Sequence, residues 1–289
     1  MVPFLHLGPL TIPTFGLMVA CAMLAAFFLL RADLERRGLA ASRASEKSAN
    51  APHKSANAEA EMLIAIPSLV GLAGAKLYHL LESPSEFFAN PLALLISPYG
   101  FAWFGGLLAG FAAFVWLGRR QNVPLFSLLD VGSPAAALGY GIGRIGCFLS
   151  GDGDYGVPTS LPWGMSFPNG LVPTTERVHP TPIYELIAAC AIAWFLWRMY
   201  ARQKPAPAEN PVPAEKSVPE KKSLPAGAVF AAYLVLTGVA RFLVEFIRIN
   251  PRSFLGMSNA QTASLASTIA GIALWFWLLK RRDRFYGIG

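Results

Sequence analysis

The stretch GRIGCFLSGDGDYG, residues 143–156, combines a permanently charged arginine with two carboxylates in an otherwise apolar, glycine-rich run. Arg144 precedes Asp152 and Asp154 by roughly two to three helical turns. A guanidinium group presents a planar fork of donors that matches a phosphate, and a carboxylate can remove a proton as a general base. The residue types predict anion binding next to proton transfer, although Gly-Asp-Gly-Asp is also an ordinary turn sequence.

Two further segments carry the same residue types. Arg241 and Glu245 in TGVARFLVEFIR are four residues apart, so on a helix they share one face and can neutralise each other. His179 in VHPTPIYE precedes Tyr184 and Glu185, and a histidine beside carboxylates can act as a general base near neutral pH. The alternative for His179 is that it only caps the following helix.

The chain that must position these residues has the composition of a membrane protein. Of its 289 residues, 54% are hydrophobic and 14% are charged, whereas soluble domains carry about 25% charged residues. Runs of about 20 apolar residues are long enough to cross a bilayer as helices. Seven such runs predict an all-α integral membrane protein with seven transmembrane helices, at roughly 14–30, 59–80, 100–118, 125–148, 182–199, 226–247 and 259–279.

The formal net charge of +7 is interpreted as a topology signal. Eighteen of the 24 lysines and arginines lie at or after the ends of the first, third, fifth and seventh runs, which places them on one side of a seven-span protein. The positive-inside rule assigns that side to the cytoplasm, so the N-terminus is predicted outside and the C-terminus inside. The same distribution argues against a nucleic-acid-binding surface.

The segments between the runs differ in composition. Residues 40–58 and 203–225 are rich in Ala and Ser or in Pro, Lys and Glu, which predicts mobile cytoplasmic linkers. The external segment 149–181 contains Trp163 and Phe167 and is too apolar for a free linker, so we expect it to pack on the membrane face of the bundle. Residues 1–13 predict a short interfacial lead-in rather than a cleavable signal peptide.

The cysteines and small residues predict packing rather than metal binding. Cys21, Cys147 and Cys190 have no spacing typical of a disulfide or a metal site, and each is interpreted as a small buried hydrophobic residue. No metal is predicted. Two GxxxG pairs, Gly106 with Gly110 and Gly139 with Gly143, predict close approach between helices.

Three basic residues lie toward the outer ends of predicted spans two, four and six, namely Lys76, Arg144 and Arg241. A charge in the hydrocarbon costs about 2.5–3.5 kcal/mol on insertion scales, so three of them near one leaflet predict a common polar cavity at headgroup depth. Two arginines from separate helices suit an anionic phospholipid. The alternative, strongest for Lys76, is that the side chain extends to the interface.

With these residues in place, the sequence resembles the prolipoprotein diacylglyceryl transferase family. GRIGCFLSGD resembles the family signature Gly-Arg-x-Gly-Asn-Phe-x-Asn-Gly-Glu. Further blocks follow in the family's order along most of the chain: PTFGLM at 13–18, GAKLYH at 74–79, FGGLLAG at 104–110, HPTPIYE at 179–185 and GVARFLVEFIR at 238–248. The resemblance implies a single transmembrane transferase domain over residues 1–289 in the bacterial cytoplasmic (inner) membrane.

The family transfers the diacylglyceryl group of phosphatidylglycerol to the lipobox cysteine thiol in the signal-peptide region of a prolipoprotein, forming a thioether and releasing glycerol phosphate. The resemblance implies phosphatidylglycerol, that signal-peptide region and membrane lipid as partners, with no cofactor. It implies that Arg144 and Arg241 bind and polarise the phosphate, beside the candidate catalytic groups His179, Asp152 and Asp154. The other candidate phosphatidylglycerol-binding residues are Gly143, Gly146, Ser150, Tyr184, Glu245 and Lys76.

Several family positions differ in this chain. The signature asparagines and glutamate are replaced by Cys147, Ser150 and Asp152, and the histidine of the family's His-Gly-Gly segment is Phe104. The general base therefore stays open between His179 and the two aspartates. An anionic-phospholipid-binding protein of the same fold, with another acceptor or no catalysis, is the alternative. A transporter is disfavoured because inverted repeats and mid-membrane helix breaks are not seen.

Overall fold

The computed structural model describes residues 1–8, 10–37, 52–97, 102–121, 123–201 and 224–285. Long helices dominate these ranges, as the all-α prediction requires, and three short antiparallel hairpins that the sequence did not predict join them. The helices are α1 (Thr14–Arg37), α2 (Pro52–Glu82), α3 (Pro84–Ala89), α4 (Pro91–Ile96), α5 (Trp103–Arg120), α6 (Leu125–Ser150), α7 (Thr181–Tyr200), α8 (Ala228–Val244) and α9 (Asn259–Phe285). The strands are β1 (Phe4–Leu7), β2 (Leu10–Pro13), β3 (Met165–Phe167), β4 (Thr174–Val178), β5 (Arg252–Phe254) and β6 (Met257–Ser258).

Six helices in the described part of the chain are long and apolar enough to cross a membrane. They cover Thr14–Asp33, Glu61–Glu82, Leu125–Ser150, Thr181–Tyr200, Ala228–Ile247 and Asn259–Arg281. The predicted third span forms the 18-residue helix α5, whose last turn contains Arg119 and Arg120, and it is not among these six helices. The length and composition of the helices thus indicate a multi-pass membrane protein.

The chain divides into two compact units. The first comprises Met1–Asp33 and Leu129–Gly289, and in it α7 packs on α8 and α8 packs on α9. The approach of α8 to α9 requires a small residue, because a Cβ atom at Gly238 would lie 2.4 Å from Thr268 Oγ1. Leu196 and Val229 are fully buried in this unit.

Within residues 1–13, predicted as a lead-in, the strands β1 and β2 pair as an antiparallel hairpin. The backbone N–H and the hydroxyl of Thr14 both donate to the carbonyl of Pro3, at 2.9 and 3.0 Å, and so fix the hairpin to the start of α1. The N–H of Val2 donates to the carbonyl of Leu149 at 3.0 Å, near the end of α6. The hairpin is therefore attached to two helices of the first unit.

The second unit, Leu34–Leu128, is held together by the packing of α2 on α5. A Cβ atom at Gly105 would lie 2.3 Å from Tyr78 Cβ and 2.4 Å from the carbonyl oxygen of Gly74. Only glycine allows the two helices this close approach.

The close approach predicted from the GxxxG pairs is confirmed at Gly106 and Gly110, where a Cβ atom would lie 3.3 Å from Ala75 Cβ and 3.1 Å from the carbonyl oxygen of Pro67, respectively. It is wrong at Gly139 and Gly143, where a Cβ atom meets nothing within 4 Å among the described residues.

We expect Gly105→Ala to destabilise the protein by about 1–3 kcal/mol, since the added methyl group collides with backbone that cannot move aside cheaply. Thermal unfolding in detergent, followed by tryptophan fluorescence, measures the effect. The matched control is Gly139→Ala, which adds the same methyl group to a helix where space is open. Equal melting temperatures for the two variants would contradict the packing argument.

Only parts of the two predicted linkers fall within the described residues. Helix α2 begins at Pro52, so residues 52–58, predicted as linker, are helical. The remainder of that segment, residues 40–51, and residues 203–223 of the second linker lie outside the described residues. The segment 149–181 is folded: Phe167 and Val178 are 1% and 2% exposed, which agrees with the expectation that it packs rather than forms a free linker.

Candidate functional site

The buried carboxylate of Glu185, in the first turns of α7, receives side chains from two other helices. Its Oε2 lies 3.2 Å from Nε of Arg144 on α6, and its Oε1 lies 3.1 Å from Nη1 of Arg241 on α8. Arg248, just after α8, donates to Oε2 at 3.3 Å, and the hydroxyl of Tyr140 donates to Oε1 at 2.8 Å. Glu185 is only 4% exposed, so these partners are what make its charge tolerable in the interior.

Two more carboxylates complete the arrangement. Asp154 accepts from Nη1 of Arg144 and Nη2 of Arg248. Glu245 lies 2.8 Å from Nη1 of Arg241 and 3.7 Å from Nε of Arg248. We refer to the three arginines and three carboxylates together as the arginine–carboxylate cluster, which consists of Arg144, Asp154, Glu185, Arg241, Glu245 and Arg248.

The cluster is nearly neutral, but two of its arginines keep donors available. Three of their nitrogen atoms have no acceptor among the described residues and are not buried: Nη2 of Arg144, and Nε and Nη2 of Arg241. The side chains of Arg144 and Arg241 are 16% and 24% exposed, against 6% for Arg248. These free donors come from two different helices and can receive the oxygens of an anion.

The loop after α6 reaches the cluster through Gly156. The N–H of Gly156 donates to the carbonyl of His179 at 2.8 Å, and the N–H of Val157 donates to the carbonyl of Ile247 at 2.8 Å. A Cβ atom at Gly156 would lie 2.4 Å from that Ile247 oxygen. Glycine at this position thus lets the loop pass between the start of α7 and the end of α8, which brings Asp154 to the arginines.

The two predicted aspartates have different surroundings. Burial alone would raise the pKa of Asp154, but the adjacent Arg248 and Arg144 outweigh it and hold the pKa below its usual value. Burial raises the pKa of Asp152, and the negative charge of Asp154 raises it further. Oδ1 of Asp152 accepts the backbone N–H of Asp154 at 3.2 Å. Asp152 is therefore the more basic of the two carboxylates.

His179 and Tyr184 form a separate pair in the structure. Nδ1 of His179 lies 3.1 Å from the hydroxyl of Tyr184, and the indole N–H of Trp163 donates to the same hydroxyl at 2.8 Å. Neither side chain makes an ion pair or hydrogen bond with the carboxylates of the cluster in the described part of the chain. His179 contributes through its backbone carbonyl, which holds Gly156.

The remaining predicted binding residues have different positions. Ser150 is buried, and its hydroxyl donates to the carbonyl of Cys147 at 3.1 Å. A Cβ atom at Gly146 would lie 3.0 Å from Phe15 Cδ2, so Gly146 serves the approach of α1 to α6, while Gly143 borders open space among the described residues. Lys76 belongs to the second unit, where its ammonium donates to the carbonyl of Ser97 at 2.9 Å.

Three residues of the site were not among the predicted site residues: Arg248, Glu185 and Tyr140. Arg248 looked like an ordinary residue at a helix end, but its spacing from Arg241 and Glu245 follows one helix face, which was a usable signal. Tyr140 is one turn before Arg144, whose guanidinium carbon lies 4.8 Å from the centre of the Tyr140 ring. The sequence around Tyr140 resembles that of any aromatic residue in an apolar helix, so its role in the site could not be predicted.

The cysteine predictions had mixed outcomes. Cys147 is buried as predicted, Cys21 is only partly buried, and the prediction is wrong for Cys190, which is exposed. Cys147 also lies near the aspartates: its sulfur and one oxygen each of Asp152 and Asp154 are within 4.8 Å of one another, a geometry that could hold a metal ion. The guanidinium groups of Arg144 and Arg248 on Asp154 oppose a cation at this point.

The helices and the cluster define a multi-pass membrane protein with an arginine-rich site that can bind an anion. The family model for prolipoprotein diacylglyceryl transferase matches residues 3–277. Three relatives are named phosphatidylglycerol–prolipoprotein diacylglyceryl transferase. The relative from Clostridium tetani is 33% identical over 89% of this chain and 90% of its own. The relative from Geobacter sulfurreducens is 30% identical over 96% of this chain and 95% of its own. That of Paracidovorax citrulli is 31% identical over 97% of this chain and 96% of its own.

The chain belongs to the prolipoprotein diacylglyceryl transferase family, which confirms the resemblance seen in the sequence.

Proposed function

We propose that this protein transfers the diacylglyceryl group of phosphatidylglycerol to the cysteine thiol of a prolipoprotein lipobox. The family match along residues 3–277 supports the reaction class. The structural observation that carries the proposal is the convergence of Arg144 and Arg241, from two helices, on one carboxylate while both keep accessible N–H donors. That arrangement suits the phosphate of a lipid headgroup.

In this reaction the thiolate sulfur attacks the glyceryl carbon that carries the phosphate ester. A carbon–sulfur bond forms, the carbon–oxygen bond to the phosphate breaks, and glycerol phosphate leaves with that electron pair. The phosphate gains negative charge as the bond breaks, and the free N–H groups of Arg144 and Arg241 stabilise it there. The proton of the thiol passes to a general base.

We assign the role of base to Asp152 among the three sequence candidates. Asp154 is occupied by two arginines and has a lowered pKa, and His179 is paired with Tyr184. Asp152 makes no ion pair in the described part of the chain, has a raised pKa, and lies beside Asp154 on the loop that borders Arg144. A carboxylate with a raised pKa is the better proton acceptor.

The assignment predicts an acid limb in the pH dependence of transfer. A base acts only when deprotonated, so the rate falls as the pH decreases through the pKa of Asp152, which is above the usual value for an aspartate. We expect Asp152→Asn to reduce kcat about 100-fold and to remove this limb. Asp152→Glu, which keeps a carboxylate, should retain the limb. An unchanged pH profile in Asp152→Asn would exclude Asp152 as the base.

The topology belongs to the same proposal. We place seven spans in the bacterial cytoplasmic membrane, with α5 as the additional span, the N-terminus outside and the C-terminus in the cytoplasm, as the distribution of basic residues supports. The cluster then lies toward the outer leaflet, where the signal-peptide region of a prolipoprotein can reach it. The whole chain works as one transferase domain.

The direct test uses the purified protein in nanodiscs that contain phosphatidylglycerol. A peptide with a lipobox cysteine is added, and mass spectrometry measures the mass increase of a diacylglyceryl group; a peptide with Ser in place of Cys is the control. We expect a thiol-dependent adduct. Phe104, where the family has histidine, favours a second candidate, a lipid-binding relative without this chemistry, and bound phosphatidylglycerol without any adduct would support it.

A further inference from the structure

The buried carboxylate of Asp130 connects the starts of α6 and α8. Asp130 lies in the second turn of α6 and is 1% exposed. Its Oδ2 accepts the backbone N–H of Gly227 at 2.7 Å, and its Oδ1 accepts that of Phe230 at 2.8 Å. Gly227 is the N-cap residue of α8 and has φ 95°, so the first turn of α8 is capped by a side chain from another helix.

The contact between Asp130 and α8 lies at the same distance from the cluster along both helices. Fourteen residues separate Asp130 from Arg144 on α6, and fourteen separate Gly227 from Arg241 at the other end of α8. At 1.5 Å per residue both distances are about 21 Å. Two parallel helices that start at a common contact therefore bring their arginines to the same depth, where both meet Glu185.

The backbone of α8 lies close to those of α7 and α9, but close to that of α6 at few points in the described part of the chain. Polar links join α6 and α8 at their two ends, through Asp130 at one and Glu185 at the other. A slip of one residue would shift Arg241 by about 1.5 Å along the axis.

We infer that Asp130 is a positioning residue for the transfer reaction, which sets the register of α8 against α6 and hence the distance between the guanidinium groups of Arg144 and Arg241. This inference rests on the proposed function. A misplacement of about 1 Å in a reacting complex can cost about 100-fold in rate. The role is exerted through the backbone of α8, since Asp130 is about 21 Å from the cluster.

The test compares three variants in the peptide-transfer assay. Asp130→Leu has a similar branched shape but no acceptor, and Asp130→Asn keeps one acceptor oxygen. Ser133→Ala removes a buried hydroxyl that, among the described residues, bonds to the carbonyl of Leu129 in the same helix, at 2.6 Å. Each variant is assayed after size-exclusion chromatography, so that kcat refers to folded protein. Hydrogen–deuterium exchange of residues 227–231 reports the cap itself.

We expect Asp130→Leu to lower kcat about 10- to 100-fold, with faster exchange over residues 227–231, and Asp130→Asn to recover most of both losses. Ser133→Ala should match the wild type. Faster exchange with unchanged kcat would overturn the inference, and so would a loss of kcat in Asp130→Leu with unchanged exchange. If Asp130→Leu does not fold, the test rests on Asp130→Asn, which we then expect to have a lower kcat than Ser133→Ala. Equal kcat values for these two variants would overturn the inference. An inactive wild type would instead count against the proposed function.

Discussion

Replacing Arg144 by alanine is expected to reduce transfer about 1000-fold while the protein stays folded. Preorganised donors at a leaving phosphate commonly contribute effects of this size. Folding should survive because the buried carboxylates keep other partners: Glu185 retains Arg241, Arg248 and Tyr140, and Asp154 retains Arg248. The mass-spectrometric peptide assay gives kcat, and size-exclusion chromatography with thermal unfolding checks the fold.

Two further variants sharpen this expectation. Arg144→Lys keeps the charge but loses the planar fork, so we expect it to remain at least 10-fold below the wild type. Arg198→Ala removes an arginine that stacks 5.3 Å from the Trp194 ring in the last turn of α7, and it should leave transfer unchanged. Near-normal transfer by Arg144→Ala would refute the role of Arg144 in phosphate binding.

Replacing Glu185 by alanine is expected to destabilise the protein by about 3–5 kcal/mol, because the change removes the buried carboxylate that all three guanidinium groups share. Arg144, Arg241 and Arg248 all contact this carboxylate, and the side chain of Arg248 is only 6% exposed. A loss of this size corresponds to a fall in melting temperature of about 10 °C. Thermal unfolding in detergent measures it, and transfer activity should be lost as well.

The control for Glu185 is the exposed carboxylate of Glu176 on β4, which makes no ion pair in the described part of the chain. Glu176→Gln should have the same melting temperature as the wild type. Glu185→Gln removes the charge but keeps an acceptor oxygen, so its melting temperature should fall between those of Glu185→Ala and the wild type. If Glu185→Ala has the melting temperature of the wild type, the stability of the protein does not depend on the pairing of the arginines with Glu185.

The long helices could be predicted closely because their apolar runs are continuous. The predicted spans 125–148 and 182–199 agree with α6 and α7 within two residues at each end. The hairpins β1–β2, β3–β4 and β5–β6 could not be predicted in the same way. Their strands have two to five residues, which is too short to show a period of two, and they are held by contacts with helix ends.

The site was predictable in its residue types and only partly in its partners. Arg144 and Arg241 stood out because a charge in an apolar run is costly, and they do meet in the structure. The contact of both arginines with Glu185, and the contact of Arg248 with the same carboxylate, could not be predicted, because they depend on how the ends of three helices pack together. His179 has a catalytic residue type, but its neighbour Tyr184 turns out to be its partner.

The balance of three arginines against three carboxylates in the cluster has a kinetic consequence. A phosphate bound at Arg144 and Arg241, as we propose, would share their charge with the carboxylates already paired there, so it would bind less tightly than it would to unopposed arginines. After glycerol phosphate leaves, the carboxylates would again neutralise the guanidinium groups. In the proposed reaction the carboxylates therefore compete with the phosphate, which would speed product release.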